Sequence, residues 1–60
     1  MRILYYAVFI RDKAYYFGLD ELSKAFEFSD GYWLIQMAYI DANRQLGYRY
    51  FNRERWEFVD

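Results

Sequence analysis

The sequence predicts an α+β domain, in which a small antiparallel sheet of three to four strands carries one short helix on one face. Residues 2–10 are an apolar run rich in β-branched and aromatic side chains, which is typical of a strand. Residues 19–28 place apolar side chains three and four positions apart, which indicates an amphipathic helix. Residues 32–59 read as further strands joined by a polar loop. At this length we expect a single domain, 1–60.

The first predicted strand, residues 2–10, is apolar on both of its faces. One face carries Ile3, Tyr5, Ala7 and Phe9, and the other carries Leu4, Tyr6, Val8 and Ile10. Two apolar faces indicate a central strand or a strand covered on both sides. Residues 11–13 form a polar break, and residues 14–17 can return as the second strand of a hairpin that ends at Gly18.

The predicted helix, residues 19–28, is too short to be stable alone, so its apolar side must pack on the sheet. That side carries Leu19, Leu22, Ala25 and Phe26. Asp20 is the candidate N-cap, because a short polar side chain there can accept a hydrogen bond from a free backbone N–H. Residues 29–31, with the sequence Ser-Asp-Gly, end the helix.

The segment 32–41 is compatible with two structures, of which we favour the strand. Asp41 to Gln45 then form a hairpin loop, since Asp and Asn are common turn residues. Residues 46–59 form the last strand, with a break near Asn52, and the element order is β-β-α-β-β. If 30–46 is helical instead, from an N-cap at Ser29, the order becomes β-β-α-α-β.

Composition argues against catalysis and against a cofactor. The chain has no Cys and no His, so it lacks thiolate ligands, disulfides and the commonest acid–base group near neutral pH. Ser23 and Ser29 have no neighbouring base in the sequence, and the three glycines are too far apart for a phosphate-binding loop. We therefore expect no enzyme, no cofactor and no metal site.

The C-terminal stretch 44–56 combines positive charge with aromatic side chains, although the net charge of the chain is -1. Its arginines are Arg44, Arg49, Arg53 and Arg55, and its aromatic residues are Tyr48, Tyr50, Phe51 and Trp56. Arginine pairs with phosphates and aromatic rings stack on unpaired bases. Single-stranded nucleic-acid binding through the four arginines is therefore an alternative function.

The function we favour is protein binding, because exposed aromatic and arginine side chains dominate the energy of protein interfaces. The candidate contact residues are Trp33, Tyr48, Tyr50, Arg53 and Trp56. Such a module can inhibit its partner by occluding a surface. A homodimer is expected, because a second copy would supply missing core and cover an edge strand.

A third function class is a structural subunit of a larger assembly. The longest apolar run, residues 3–10, is well short of the about 20 residues that a membrane span needs. We therefore expect no membrane partner. The absence of Cys and of a recognisable targeting segment favours the cytoplasm.

Overall fold

The structure is a computed structural model that describes all 60 residues. It contains five strands and one helix, joined by turns and loops. The elements are β1 (Arg2–Ile10), β2 (Lys13–Phe17), α1 (Leu22–Ser29), β3 (Leu34–Ile40), β4 (Leu46–Asn52) and β5 (Glu57–Val59). The strands form a single sheet in the order β2-β1-β3-β4-β5, and every neighbouring pair is antiparallel. The predicted α+β class is confirmed. The predicted strand number is too low by one or two, and the β-β-α-α-β alternative is wrong because 34–40 is a strand.

The β1–β2 hairpin turns through two residues, Arg11 and Asp12, between the paired Ile10 and Lys13. β1 also contains a bulge near its start, where Ile3 pairs with Tyr39 but Tyr5 pairs with Ala38. Leu4 is the extra residue, so Ile3 and Tyr5 lie on opposite faces of the sheet. The prediction that Ile3 shares a face with Tyr5 is therefore wrong.

Helix α1 begins three residues later than predicted, and its N-cap is Glu21 rather than Asp20. The chain first makes a tight turn, in which the Glu21 N–H donates to the Gly18 carbonyl (3.0 Å) and a Glu21 carboxylate oxygen accepts from the Gly18 N–H (2.8 Å). Asp20 lies within this turn and cannot cap the helix. At the other end Asp30 adopts the left-handed conformation (φ 55°) and stops the helix after Ser29.

The predicted loop between β3 and β4 is held by its first residue. A carboxylate oxygen of Asp41 accepts hydrogen bonds from the backbone N–H groups of Asn43 (2.8 Å) and Gln45 (2.9 Å). This is the local side-chain bonding that makes Asp a turn former. Just beyond the loop Gly47 pairs with Tyr39, whose ring lies where a side chain at position 47 would begin.

The break predicted near Asn52 is confirmed, and it produces a fifth strand. The Asn52 side-chain oxygen accepts hydrogen bonds from the N–H groups of Glu54 and Arg55, both at 3.0 Å. The turn closes at Trp56, whose φ of 54° is unusual for a large side chain. Residues 57–59 then pair with the end of β4.

The hydrophobic core lies between the helix and one face of the sheet. Val8, Ala25, Ile35 and Phe51 form its buried centre, and Phe26 packs edge-on against Phe51 with 4.9 Å between ring centroids. The helix lies mainly over β1, β2 and β3, and its Phe26 reaches Phe51 on β4. It is also far too short and too polar to cross a membrane.

Candidate functional site: the open face of the sheet

Helix α1 packs on one face of the sheet, and no element of the chain covers the other. We call this second surface the open face and define it by the strand register. It carries Arg2, Tyr5, Ala7, Phe9, Ala14, Tyr16, Leu34, Gln36, Ala38, Ile40, Leu46, Tyr48, Tyr50, Asn52, Glu57 and Val59. All five strands contribute, because side chains alternate between the two faces of every strand.

The centre of the open face is built from small residues between tyrosine rings. Ala38 pairs with Tyr5 on one side and Tyr48 on the other, and Ala7 pairs with Tyr16. Both alanines are fully buried although no layer of the protein lies over them. The rings therefore fill the space above the alanines, and Tyr5 and Tyr16 meet edge to face with 5.4 Å between centroids.

Gln36, the one buried polar side chain of the open face, has a hydrogen-bond partner within the chain. Gln36 donates a hydrogen bond from its side-chain nitrogen to the Tyr50 hydroxyl at 3.3 Å, and no buried side-chain nitrogen or oxygen lacks a partner. The pKa of Tyr5 is raised above its usual value, mainly because the group is partly removed from water. The neighbouring Tyr48 and Tyr16 hydroxyls raise this pKa further.

Around the centre, large apolar side chains are open to solvent. Leu46 is 55% exposed, Leu34 45% and Tyr16 69%, and Tyr48 and Tyr50 are also exposed. Large contiguous apolar surfaces are uncommon on monomeric proteins. The open face combines aliphatic and aromatic groups over its whole width.

Only two charged side chains occupy strand positions on the open face. Arg2 lies at one end of β1, and Glu57 lies on β5 at the opposite corner. The sixteen positions of the face thus carry one positive and one negative charge, both at the margin. The acidic residues of the helix and its turn, such as Asp20 and Glu27, lie on the other side of the molecule.

The five predicted protein-contact residues do not share one surface. Tyr48 and Tyr50 lie on the open face. Trp33 packs half-buried against the core. Arg53 lies beside Trp33. One of its guanidinium nitrogens donates hydrogen bonds to the Ser29 hydroxyl (3.1 Å) and to the Trp33 carbonyl (3.0 Å). Trp56 is exposed on the helix side.

Trp56 belongs to an aromatic cluster beside the helix. Its ring stacks on Phe26, with 5.7 Å between centroids and 11° between planes, and meets Phe51 edge-on at 5.0 Å. Phe58 also contacts Phe51 edge-on. One side of the indole is therefore used in packing, and the other side faces solvent.

The four arginines of the nucleic-acid alternative also lie apart. Arg44 is in the β3–β4 loop, and Arg55 pairs with Glu57 in the last turn at 2.7 Å. Arg49 points to the helix side, where its hydrogen bond to Asp60 (3.0 Å) raises its pKa. Its guanidinium also lies 5.0 Å from the centre of the Tyr39 ring. With Arg53 bonded to the backbone, the arginines form no continuous track beside the open-face tyrosines.

Sequence reasoning missed four prominent residues of the open face, Tyr5, Tyr16, Leu34 and Leu46. A signal for them was present, because both faces of 2–10 are apolar and the sequence offers only one helix. One short helix can cover one face, so the other apolar face must remain open or be covered by a partner. Their position on that face depends on the register, which the sequence does not display.

The open face has no depression that could enclose a small molecule, since the structure contains no pocket. The chain also brings together no group of three or more side chains of the kinds that bind metal ions.

The chain matches no protein-family model, no curated protein and no solved structure. Its geometry is therefore the basis on which a function can be proposed.

Proposed function

We propose that this chain is a non-enzymatic protein-binding module and that the open face is its binding surface. The observation that carries the proposal is an aromatic and aliphatic sheet face, charged only at two corners, that nothing in the chain covers. A face of this composition loses little on dehydration and gains from the burial of apolar area.

The tyrosines favour a protein partner in particular. Tyr16, Tyr48 and Tyr50 present large rings with few rotatable bonds, and such side chains supply much of the binding energy at protein interfaces. Their hydroxyl groups suit a surface that is wet when free and dry when bound. Binding through this face would occlude an equal area of the partner, which is how such a module can inhibit.

The nucleic-acid alternative has less support from the geometry. Stacking platforms for single strands combine aromatic rings with nearby positive charge that follows the phosphates. On the open face only Arg2 could serve, because Arg49 and Arg53 are engaged on the other side. The role of structural subunit remains a prediction.

The proposal is tested by placing a charge in the open face. We expect the tagged chain to elute from native cell extract in a complex larger than its own 7.5 kDa. Leu46→Asp and Leu34→Asp should each weaken this complex at least about tenfold, since an unpaired carboxylate buried in a contact is costly. Gel filtration of the extract gives the measurement.

Leu19→Asp is the matched control, because Leu19 is equally exposed but lies outside the open face. It should leave the complex intact, and circular dichroism should show all three variants folded. A complex that survives both open-face variants would contradict the proposal. Loss of the complex on nuclease treatment would instead support nucleic-acid binding.

A further inference from the structure

We infer that the occupant of the open face is a second copy of this chain, packed sheet on sheet about a two-fold axis. This inference rests on the proposed function, because it names the partner that covers the same face. It is carried by the positions of Arg2 and Glu57, the only charged residues on that face.

The two charges lie at diagonally opposite corners of the sheet. β1 and β5 are three places apart in the strand order, which separates them by about 14 Å at the usual spacing. Along the strands, Arg2 aligns through Ile40 with Leu46, whereas Glu57 aligns with Asn52. The distance from position 46 to position 52 of β4 is about 20 Å.

A two-fold axis that lies in the contact plane, at right angles to this diagonal, exchanges the two corners. Arg2 of each copy then faces Glu57 of the other, so the symmetric contact contains two opposite-charge pairs. Glu57 also keeps its partner Arg55 in its own chain, 2.7 Å away. The same spacings make the strands of the two copies cross at about 70°. That angle is near the orthogonal class of sheet packing. The face is therefore complementary to itself, as a two-fold contact requires.

The one buried polar side chain in the interior of the face already has a partner within the chain. The Gln36 side chain is hydrogen-bonded to the Tyr50 hydroxyl within one chain. The backbone groups of the central strands are paired within the sheet. Burial against a second copy therefore removes mainly apolar area from water, which is the favourable term in association.

The size of the face matches what a stable dimer needs. The molecule measures 34 × 23 × 23 Å, and a standard interface buries about 800 Å² on each partner. A contact of that area must use nearly the whole face, as face-to-face sheet packing does. Only 10 of the 60 residues are buried in the single chain, so the second copy would add a second core.

The dimer is tested by charge reversal in the purified chain. Sedimentation equilibrium should give the mass of two 7.5 kDa chains. Arg2→Glu and Glu57→Arg should each raise the dissociation constant at least about tenfold, because each replaces two attractions by two repulsions. The double variant should restore an affinity near that of the original chain.

Glu57 also pairs with Arg55 within one chain, and the double variant does not recover that pair. Restored dimer affinity in the double variant therefore reports the contact between copies. Lys24→Glu and Glu27→Arg are matched controls, since they make the same charge changes on the exposed side of the helix. They should leave the dissociation constant unchanged.

Two results would overturn the inference: a monomer at every concentration, or a dimer indifferent to both reversals. A purified monomer that still forms a larger, Leu46-dependent complex in cell extract would refute only the second copy. The absence of both the dimer and that complex would refute the proposed function as well.

Discussion

At the scale of single residues, the backbone at Trp56 is the clearest local conflict between side chain and conformation. A φ of 54° suits glycine or asparagine, yet a large indole occupies the position. The indole compensates by stacking on Phe26 and Phe51. At Trp56 the positive φ therefore destabilises the fold, whereas the packing of the indole stabilises it. Two substitutions can separate these two contributions to stability.

We expect Trp56→Ala to lower the free energy of unfolding by about 1–3 kcal/mol, because it loses two aromatic contacts and keeps the unfavourable φ. Trp56→Gly loses the same contacts but accepts the positive φ. It should therefore be more stable than Trp56→Ala by about 1 kcal/mol. Urea denaturation of the two variants measures the difference, and equal stability would show that the turn relaxes without strain.

Arg53 was predicted as a contact residue from its type, but its geometry indicates a role in stability. Its hydrogen bonds join the β4–β5 turn to the end of the helix and to the segment before β3. We expect Arg53→Ala to lower the free energy of unfolding by about 1.5–3 kcal/mol, the usual range for hydrogen bonds from a charged group.

The control for Arg53 is Arg55→Ala, which removes an arginine from the same turn. Arg55 makes only an exposed ion pair with Glu57, so its loss should cost less than about 1 kcal/mol. Thermal or urea denaturation compares the two variants. Equal effects would contradict the structural role that the geometry gives to Arg53.

At the scale of elements, the helix start depends on Glu21 rather than on a conventional cap. The hydrogen bond from the Gly18 N–H, and then the nearby Lys24 ammonium, hold the pKa of Glu21 below its usual value. A carboxyl with a lower pKa when folded adds stability above its unfolded pKa of about 4.3. That contribution is lost as the pH falls through the folded value.

Glu21→Gln should therefore lower stability at pH 7 and weaken the loss of stability on acidification below about pH 4.3. The amide oxygen can still accept from the Gly18 N–H, so the change removes mainly the charge. Urea denaturation across the acidic range measures this. Glu27→Gln, on the same helix and without a hydrogen bond, is the control, and an equal flattening there would contradict the assignment to Glu21.

Most elements were predictable from sequence, whereas their ends were not. β1, β2, β3 and the loop at Asp41 follow from polarity and turn chemistry that act over a few residues. The late helix start and the separate β5 depend on the side chains of Glu21 and Asn52, which bond to particular backbone N–H groups. The secondary-structure propensity of a residue type does not predict such bonds, because Glu and Asn side chains are often exposed to solvent without bonding to the backbone.

At the scale of the whole molecule, the candidate site is a property of the sheet rather than of a motif. Tyr48 and Tyr50, both predicted as contact residues, are two positions apart in β4 and so share one side of it. The sequence could not show that Tyr5 and Tyr16 join them, because that depends on the strand order and on the bulge at Leu4. Trp33 and Trp56 were selected by residue type and lie instead on the helix side.

The open face also explains why both faces of β1 are apolar. Tyr6 and Val8 pack on the helix side, and Tyr5 and Ala7 form part of the open face. An apolar pattern of this kind implies two coverings, of which the chain provides one. We expect another protein chain to provide the second.

The most direct test is photo-crosslinking in living cells, with benzoylphenylalanine in place of Tyr48 on the open face. Tyr32, which is exposed in the loop after the helix, is the matched control position. We expect a discrete protein crosslink from position 48 and none from position 32. Its mass, twice that of the chain or different, then identifies a second copy or another protein. If position 48 crosslinks to no protein while the chain remains folded, the open face is not a protein-binding surface.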